Sequence, residues 1–180
     1  FFSYKNFKQV SKKSKANLIT SFSMFYDLQD PLKFTKDINK CLDINGIWHF
    51  EQSYLLDMIK KNSYDTICHE HLEYYSIHSI NYIIKKSQLK IIDIKRNNIN
   101  GGSIAVTAAK SNSKYKECTS VINRYLKNET DKKINTKKTY KIFFSKFLKE
   151  KNKLIALLKN LKKDGKTIIG YGASTKGNVL

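Results

Sequence analysis

Short apolar runs alternate with amphipathic segments along the first part of the chain. The apolar runs predict four strands, at residues 17–22, 46–53, 89–94 and 104–109, and the first of these reads as a buried parallel strand. Segments with helical spacing predict helices over residues 31–42, 54–61 and 79–86. Asp30 before Pro31 is typical of a helix start, and Ser79 is the predicted cap of the third helix. The pattern predicts an α/β fold.

The last two predicted strands are joined by residues 97–103, NNINGGS. An Asn followed by two glycines favours a hairpin, because glycine adopts positive φ without a steric penalty. Strands separated by helices therefore come first, and an antiparallel hairpin closes the sheet.

The pattern becomes helical over residues 114–127 and 137–163. Nine apolar side chains recur at helical spacing in the longer segment: Tyr140, Phe143, Phe144, Phe147, Leu148, Leu154, Ile155, Leu158 and Leu161. We interpret this stripe as core, and the segment as a connector that packs two domains together. Residues 167–171 predict another strand, which leads into a Gly-rich turn. The predicted domains are residues 1–112 and residues 113–180.

A net charge of +19 changes this picture little. The lysines are spread along the whole chain, and arginine, whose fork suits phosphates and bases, occurs only at Arg96 and Arg124. We therefore predict no nucleic-acid partner. The three cysteines give neither a disulfide framework nor a zinc knuckle. Because no run approaches about 18 apolar residues, we predict no membrane partner, and the odd number of widely separated cysteines predicts a reducing cytoplasm.

The densest chemistry lies in residues 62–76, NSYDTICHEHLEYYS. Four titratable residues fall within five positions: His69, Glu70, His71 and Glu73. A histidine beside a carboxylate can abstract a proton near neutral pH, which favours a general base. The alternative is a histidine pair whose hydrogen bonds are satisfied in a core. A metal site or a Cys68 nucleophile fits less well, because the sequence shows no second Cys/His cluster and no oxyanion loop.

Three other segments carry candidate chemistry. Residues 23–30 follow the carboxyl end of the first strand, where ligands bind in open α/β sheets. Glu51 ends the second strand and is either a surface residue or a ligand contact. The terminal GYGASTKGN has the features of an anion site, since glycines admit a close ligand and Lys176 adds a charge. It matches neither the dinucleotide fingerprint nor the P-loop, so a tight turn with an exposed lysine stays an equal alternative.

Five ordered segments resemble the S-adenosylmethionine-dependent sugar C-methyltransferases: ITSFSMFYDLQDPLKF, GIWHFEQSY, NSYDTICHEHLEYYS, NGGS and GYGASTKGN. Those enzymes methylate a ring carbon beside the ketone of a nucleotide-linked keto-deoxysugar. The element order likewise resembles the distal half of a Rossmann-like class I methyltransferase sheet, whose final strand runs antiparallel to its neighbours. A helical connector and the start of a second Rossmann-like domain would follow. We expect an interior piece of a longer protein, without the donor-binding Gly-rich turn.

The resemblance implies roles for particular residues. His71 would be the base, with Glu70 tuning it and Tyr64 and Tyr74 holding sugar hydroxyls or the enolate oxygen, so the His71 ring should face a sugar-sized cleft. The nucleotide-sugar substrate would be bound by Glu51, His69, Asn100, Gly172, Ser174, Lys176 and Asn178. The methyl donor, S-adenosylmethionine, would lie against Ser21, Ser23, Met24 and Phe25. We expect no metal in this chain, with zinc only in an absent N-terminal segment.

Two alternatives stay open at this point. One is an O- or N-methyltransferase of the same fold, and the other is a non-catalytic module that binds nucleotide sugars. The sequence does not indicate the sugar, the base, the ring carbon or the oligomeric state.

Overall fold

A four-stranded sheet organises the chain, of which the computed structural model describes residues 2–11 and 14–172. The strands are β1 (Ala16–Phe22), β2 (Leu42–Ser53), β3 (Leu89–Asn97) and β4 (Ser103–Lys110), in the order β1-β2-β4-β3. β1 and β2 are parallel, whereas β4 lies between β2 and β3 and is antiparallel to both. The four predicted strands, the closing hairpin and the mixed α/β fold are confirmed.

The described residues also form six α-helices. They are α1 (Tyr4–Ser11), α2 (Pro31–Cys41), α3 (Leu55–Lys61), α4 (Ile77–Lys86), α5 (Thr119–Asp131) and α6 (Lys137–Lys163). The predicted start of α2 is confirmed, because the Asp30 carboxylate accepts a hydrogen bond from the backbone N–H of Lys33 at 2.8 Å. None of these helices is long and apolar enough to cross a membrane.

Helix α4 begins earlier than its predicted cap. Ser76, not Ser79, is the N-cap, and its hydroxyl accepts from the Ser79 backbone N–H at 3.2 Å. The Ser79 hydroxyl accepts in return from the Ser76 backbone N–H at 3.1 Å. Ser79 is therefore the third helical residue of a reciprocal capping box, a role that a serine can fill when no Glu or Gln is present.

We expect Ser76→Ala to lower the free energy of unfolding by about 1 kcal/mol, because α4 loses the acceptor at its N-terminus. Urea unfolding followed by the fluorescence of Trp48, the single tryptophan, measures the change. Ser120→Ala on the exposed surface of α5 is the matched control. Equal stability of the two variants would contradict the capping role.

Strand β1 is parallel as predicted, but it is not buried. No residue between Ala16 and Phe22 is fully buried, and Leu18 and Phe22 are 58% and 55% exposed. The reason is position: among the described residues β1 pairs with β2 alone and forms an edge of the sheet. The core lies instead around β2, where the rings of Trp48 and Phe50 stack with centroids 4.1 Å apart.

The prediction that the α6 stripe is core is wrong for most of its length. Of the nine apolar side chains, only Phe143 is buried. The helix is about 40 Å long, and no described element covers residues 150–160, all of which are exposed. The strand predicted at residues 167–171 is also absent, because the described residues offer it no pairing partner. The division into two domains stays a prediction.

Candidate active site

His71 lies in the loop between α3 and α4 and is half-buried. Its Nδ1 is 2.7 Å from the carbonyl oxygen of Thr66. A carbonyl oxygen can only accept a hydrogen bond, so Nδ1 carries the proton and Nε2 keeps its lone pair in the neutral ring. The backbone N–H of His71 also donates to the Cys68 carbonyl at 3.2 Å. The ring is therefore held in the tautomer that a general base at Nε2 requires.

Tyr26 packs against the His71 ring, with the two ring centroids 4.2 Å apart. The backbone carbonyl of Tyr26 accepts from the N–H groups of Leu72 and Glu73, at 2.9 and 3.1 Å. Burial raises the pKa of the Tyr26 phenol, and the nearby Ser23 side chain lowers it. The loop that follows β1 is thus joined to the histidine loop by both backbone and side-chain contacts.

A second carboxylate besides Glu70 lies near His71. Burial raises the pKa of the Asp27 carboxyl, the charge of His71 lowers it, and the charge of Glu70 raises it further. The side chains of Asp27, Glu70 and His69 are exposed, whereas the His71 ring is only partly so. Asp27, from the loop after β1, therefore lies within electrostatic reach of His71.

The cavity beside His71 is too small for a sugar. It has a volume of about 10 Å³, room for about one water molecule. Tyr26, Thr66 and Tyr74 are among the residues that line it. The expectation of a sugar-sized cleft at the imidazole itself is therefore wrong for the described residues. Leu55 and Tyr74 also line a separate, larger cleft of about 300 Å³.

The two predicted tyrosines occupy different surroundings. The Tyr74 ring centroid lies 6.5 Å from that of His71, and burial raises the pKa of the Tyr74 phenol. Tyr64 instead packs edge-on against Phe147 of α6, with centroids 4.9 Å apart. Tyr74 therefore lies close to His71, whereas the ring of Tyr64 packs against the long helix α6.

Glu51 lies at the carboxyl end of β2, as predicted. Its carboxylate accepts from the Asn97 side-chain amide at 2.9 Å, and its backbone carbonyl accepts from the Ser23 N–H at 2.9 Å. Asn100 is exposed in the hairpin turn, next to Gly101, which lies against the Ser63 side chain at the start of the histidine loop. The hairpin and the two strand ends thus border the same edge of the sheet.

The four residues predicted to contact the methyl donor divide into two pairs. The Ser21 hydroxyl accepts from the Trp48 indole N–H at 2.9 Å, and the Phe25 ring is 2% exposed within the core. Ser23 is exposed, with φ of 51° turning the chain at the end of β1, and Met24 is half-buried. Ser23 and Met24 are therefore open to a ligand at this edge, while Ser21 and Phe25 hold the loop in place.

The predicted phosphate contacts fall at the limit of the described chain. Gly172 is the last described residue and is exposed, and Ser174, Lys176 and Asn178 lie outside the described residues. In residues 2–11 and 14–172, no group of three or more His, Cys, Asp or Glu side chains is placed to hold a metal ion.

Comparisons with known proteins identify the family of this chain. Residues 2–94, which are 93 of the 180 residues, match the family model of a methyltransferase domain. The chain belongs to the methyltransferase domain family. Residues 98–180 match the model of the C-methyltransferase C-terminal domain. The predicted methyltransferase family is confirmed, whereas neither match tests the sugar substrate.

One curated relative of this chain is the C-methyltransferase NovU of Streptomyces niveus, which is 30% identical over 165 residues. The alignment covers 92% of this chain but 39% of NovU, so the chain spans well under half the length of that relative. One similar solved structure is LaPhzM, with 10% identity and a TM-score of 0.40, and the match covers 55% of this chain and 32% of LaPhzM. Another is the N-methyltransferase NodS of Bradyrhizobium japonicum WM9, with 11% identity and a TM-score of 0.39. That match covers 54% of this chain and 53% of NodS.

Three residues of the candidate site have contacts with His71 that the sequence did not predict. Thr66 acts through its backbone carbonyl, which every residue type possesses, so no sequence signal exists for it. Tyr26 and Asp27 reach His71 across 44 or more positions of sequence. Their one available signal is their place in the loop after a parallel strand, where ligand-binding residues concentrate.

Proposed function

We propose that this chain is part of an enzyme that transfers a methyl group from S-adenosylmethionine to a ring carbon of a nucleotide-linked keto-deoxysugar. The observation that supports this most directly is the hydrogen bond from His71 Nδ1 to the Thr66 carbonyl, which leaves Nε2 free to accept a proton. A ring carbon beside a ketone must lose a proton before it can attack a methyl group, and a histidine with a free Nε2 can remove that proton.

Different residues of the chain remove the proton, stabilise the resulting imidazolium and stabilise the enolate. His71 Nε2 takes the proton from the carbon beside the ketone, and the electron pair of the broken C–H bond forms the enolate. S-adenosylmethionine, when bound, supplies an electrophilic methyl group for the enolate carbon. The Thr66 carbonyl and the Asp27 carboxylate stabilise the imidazolium that results. Tyr74, whose phenol stays protonated because burial raises its pKa, donates to the enolate oxygen.

The remaining predicted contacts complete the substrate site in this proposal. Glu51 and Asn100 border the sugar from the strand ends and the hairpin, and His69 contributes from the exposed side of its loop. The diphosphate would be held by the glycines and Lys176 of the terminal Gly-rich segment, which supplies backbone N–H groups and a positive charge.

Tyr26 acts in this mechanism as a positioning residue. We expect Tyr26→Leu to lower kcat on the order of tenfold, because the His71 ring loses the face against which it packs. Tyr26→Phe keeps the aromatic ring and should stay close to wild-type kcat. Nitrogen NMR of His71 gives a readout independent of turnover, since only the Leu variant should change the Nδ1–H signal. Wild-type kcat and an unchanged signal in Tyr26→Leu would contradict the role.

Product analysis in the full-length protein tests the function itself. The protein is incubated with a nucleotide-linked keto-deoxysugar and a donor carrying a ¹³C-labelled methyl group. We expect the label on a ring carbon that has lost its hydrogen. A label on oxygen or nitrogen would overturn carbon transfer in favour of the same fold with another acceptor. Calorimetric binding of the sugar nucleotide without any transfer would identify a non-catalytic binding module instead.

A further inference from the structure

A basic cleft of about 450 Å³ lies beside the start of β1. Five lysines line it, and within the described chain no carboxylate does. They come from the residue before β1, from α2 and α4, and from the end of β4: Lys15, Lys36, Lys40, Lys86 and Lys110. Because these positions are far apart in sequence, the fold and not a local run of lysines creates the cluster. Its volume falls within the roughly 300–1,000 Å³ that small-molecule sites occupy.

The basic cleft is separate from the candidate active site. Lys15 immediately precedes β1, whereas the loop that contacts the histidine loop follows the other end of that strand. Seven residues of strand separate the two ends, which corresponds to about 20 Å. Lys110 lies at the same end as Lys15, because its neighbour Ala109 pairs with Ile47 of β2, which pairs in turn with Leu18 of β1.

The Tyr4 ring holds two of the ammonium groups in place. The Nζ atoms of Lys15 and Lys40 lie 5.3 and 5.7 Å from its centroid, within the range of a cation–π interaction. Lys15 Nζ also donates to the Lys40 carbonyl at 2.6 Å. Burial and the charge of Lys15 lower the pKa of the Lys110 ammonium. The positive charges are thus close enough to repel one another, and a bound anion would relieve that repulsion.

Asp37 and Asp43 offset part of this charge. Asp37 pairs with Lys40 at 3.1 Å, and the charge of Asp43 raises the pKa of the lysine that ends β4. The C-terminus of α4 adds a partial negative charge, equivalent to about half of an elementary charge. The Ser87 carbonyl at that terminus already accepts from the Asn39 side-chain amide at 2.6 Å. Five ammonium groups therefore leave an excess of positive charge, which favours an anionic ligand.

Ser87 is the buried residue of the cleft lining and is 2% exposed. Its hydroxyl has no hydrogen-bond partner in residues 2–11 and 14–172. A buried donor without an acceptor is unfavourable, and the large majority of buried polar side-chain atoms in folded proteins have a partner. A ligand oxygen at the floor of the cleft would supply the missing acceptor.

We propose that the basic cleft binds a small molecule through a phosphate or pyrophosphate group, with the Ser87 hydroxyl as an additional donor. Lysine binds phosphate as a point charge with three rotatable donors, so several ammonium groups can surround one phosphoryl group. The site goes beyond the proposed function and does not depend on it. The substrate diphosphate is placed by that function at the terminal Gly-rich segment, and no step of methyl transfer takes place at this edge of the sheet.

Isothermal titration calorimetry of the full-length protein with inorganic pyrophosphate tests the cleft. We expect the wild type to bind, and Lys36→Gln and Lys110→Gln each to raise the dissociation constant about 10-fold, because each removes a charge-assisted hydrogen bond. Within the described residues neither side chain makes a hydrogen bond or an ion pair, so both variants should fold normally. Ser87→Ala should raise the constant about 3- to 10-fold. Lys127→Gln, at an exposed lysine of α5 outside the cleft, is the matched control and should not change it.

The measurement reports affinity and not turnover, so its outcome is independent of whether methyl transfer occurs. Binding that is weakened by the cleft variants but not by Lys127→Gln would support the site. Binding that Lys36→Gln and Lys110→Gln leave unchanged would place pyrophosphate elsewhere and overturn it, as would absence of binding to the wild type. A nucleoside diphosphate distinguishes the source of the phosphate. Tighter binding than that of pyrophosphate, weakened by the same variants, would support a nucleotide ligand, and equal affinity would support recognition of the phosphates alone.

Discussion

Replacing His71 with Asn in the full-length protein should lower kcat by about 10²- to 10⁴-fold, the usual contribution of a general base. The lone pair at Nε2 disappears, while the Asn side-chain amide can still donate to the Thr66 carbonyl as Nδ1 does. Loop geometry is thus preserved and the loss is confined to proton transfer. Turnover of a labelled methyl donor under saturating substrate measures the effect.

The matched control for this variant is His49→Asn. His49 lies on β2, where its Nδ1 pairs with the Thr107 hydroxyl at 2.9 Å, away from the histidine loop. Its variant should keep kcat close to wild type. A His71→Asn protein that turns over as fast as the control would remove His71 from the reaction.

The largest effect on stability is expected at Glu129. Glu129→Ala should lower the free energy of unfolding by about 3–5 kcal/mol, the cost of breaking a buried charged interaction. The Tyr54 hydroxyl is 0% exposed and would lose its acceptor, and so would the backbone N–H groups of Ile77 and His78. Burial and the charge of Glu129 raise the pKa of Tyr54, so its phenol remains a donor at neutral pH.

Urea unfolding followed by Trp48 fluorescence measures this loss. The matched control is Glu150→Ala, which removes an exposed carboxylate that pairs with Lys153 at 3.0 Å. Surface ion pairs of this kind contribute about 0–1 kcal/mol. Glu129→Gln retains one acceptor oxygen and should fall between the two. If Glu129→Ala unfolds at the same urea concentration as Glu150→Ala, the hydrogen bonds from the N-terminus of α4 to Glu129 of α5 do not stabilise the fold.

Local patterns predict the strands of this fold better than they predict what covers them. The apolar runs and the Asn-Gly-Gly turn act through neighbouring residues, so all four strands and the hairpin follow from the sequence. The stripe on α6 shows only that one face is apolar. Which element covers that face is a tertiary question, and the described residues bury Phe143 and partly cover Phe147, against which Tyr64 packs.

The candidate site divides in the same way. The cluster around His71 is visible because its titratable residues are adjacent in sequence. The contacts that orient the His71 ring cannot be read from the sequence in this way. Thr66 contributes a backbone oxygen, and Tyr26 belongs to the loop after β1, which is distant in sequence. The sequence predicts that Phe25 contacts the methyl donor, but Phe25 is a core residue because its ring packs against Phe50 and Tyr75. Proximity to a strand end does not reveal which side chains turn outward.

The most direct measurement is hydrogen exchange at the substrate carbon in D₂O. The full-length protein is incubated with a nucleotide-linked keto-deoxysugar, and proton NMR follows the signal of the carbon beside the ketone. We expect wild-type protein to replace that hydrogen with deuterium and His71→Asn to leave it in place, because His71 is the group that breaks the C–H bond. Exchange at the wild-type rate in His71→Asn would show that another group removes the proton and would contradict the mechanism.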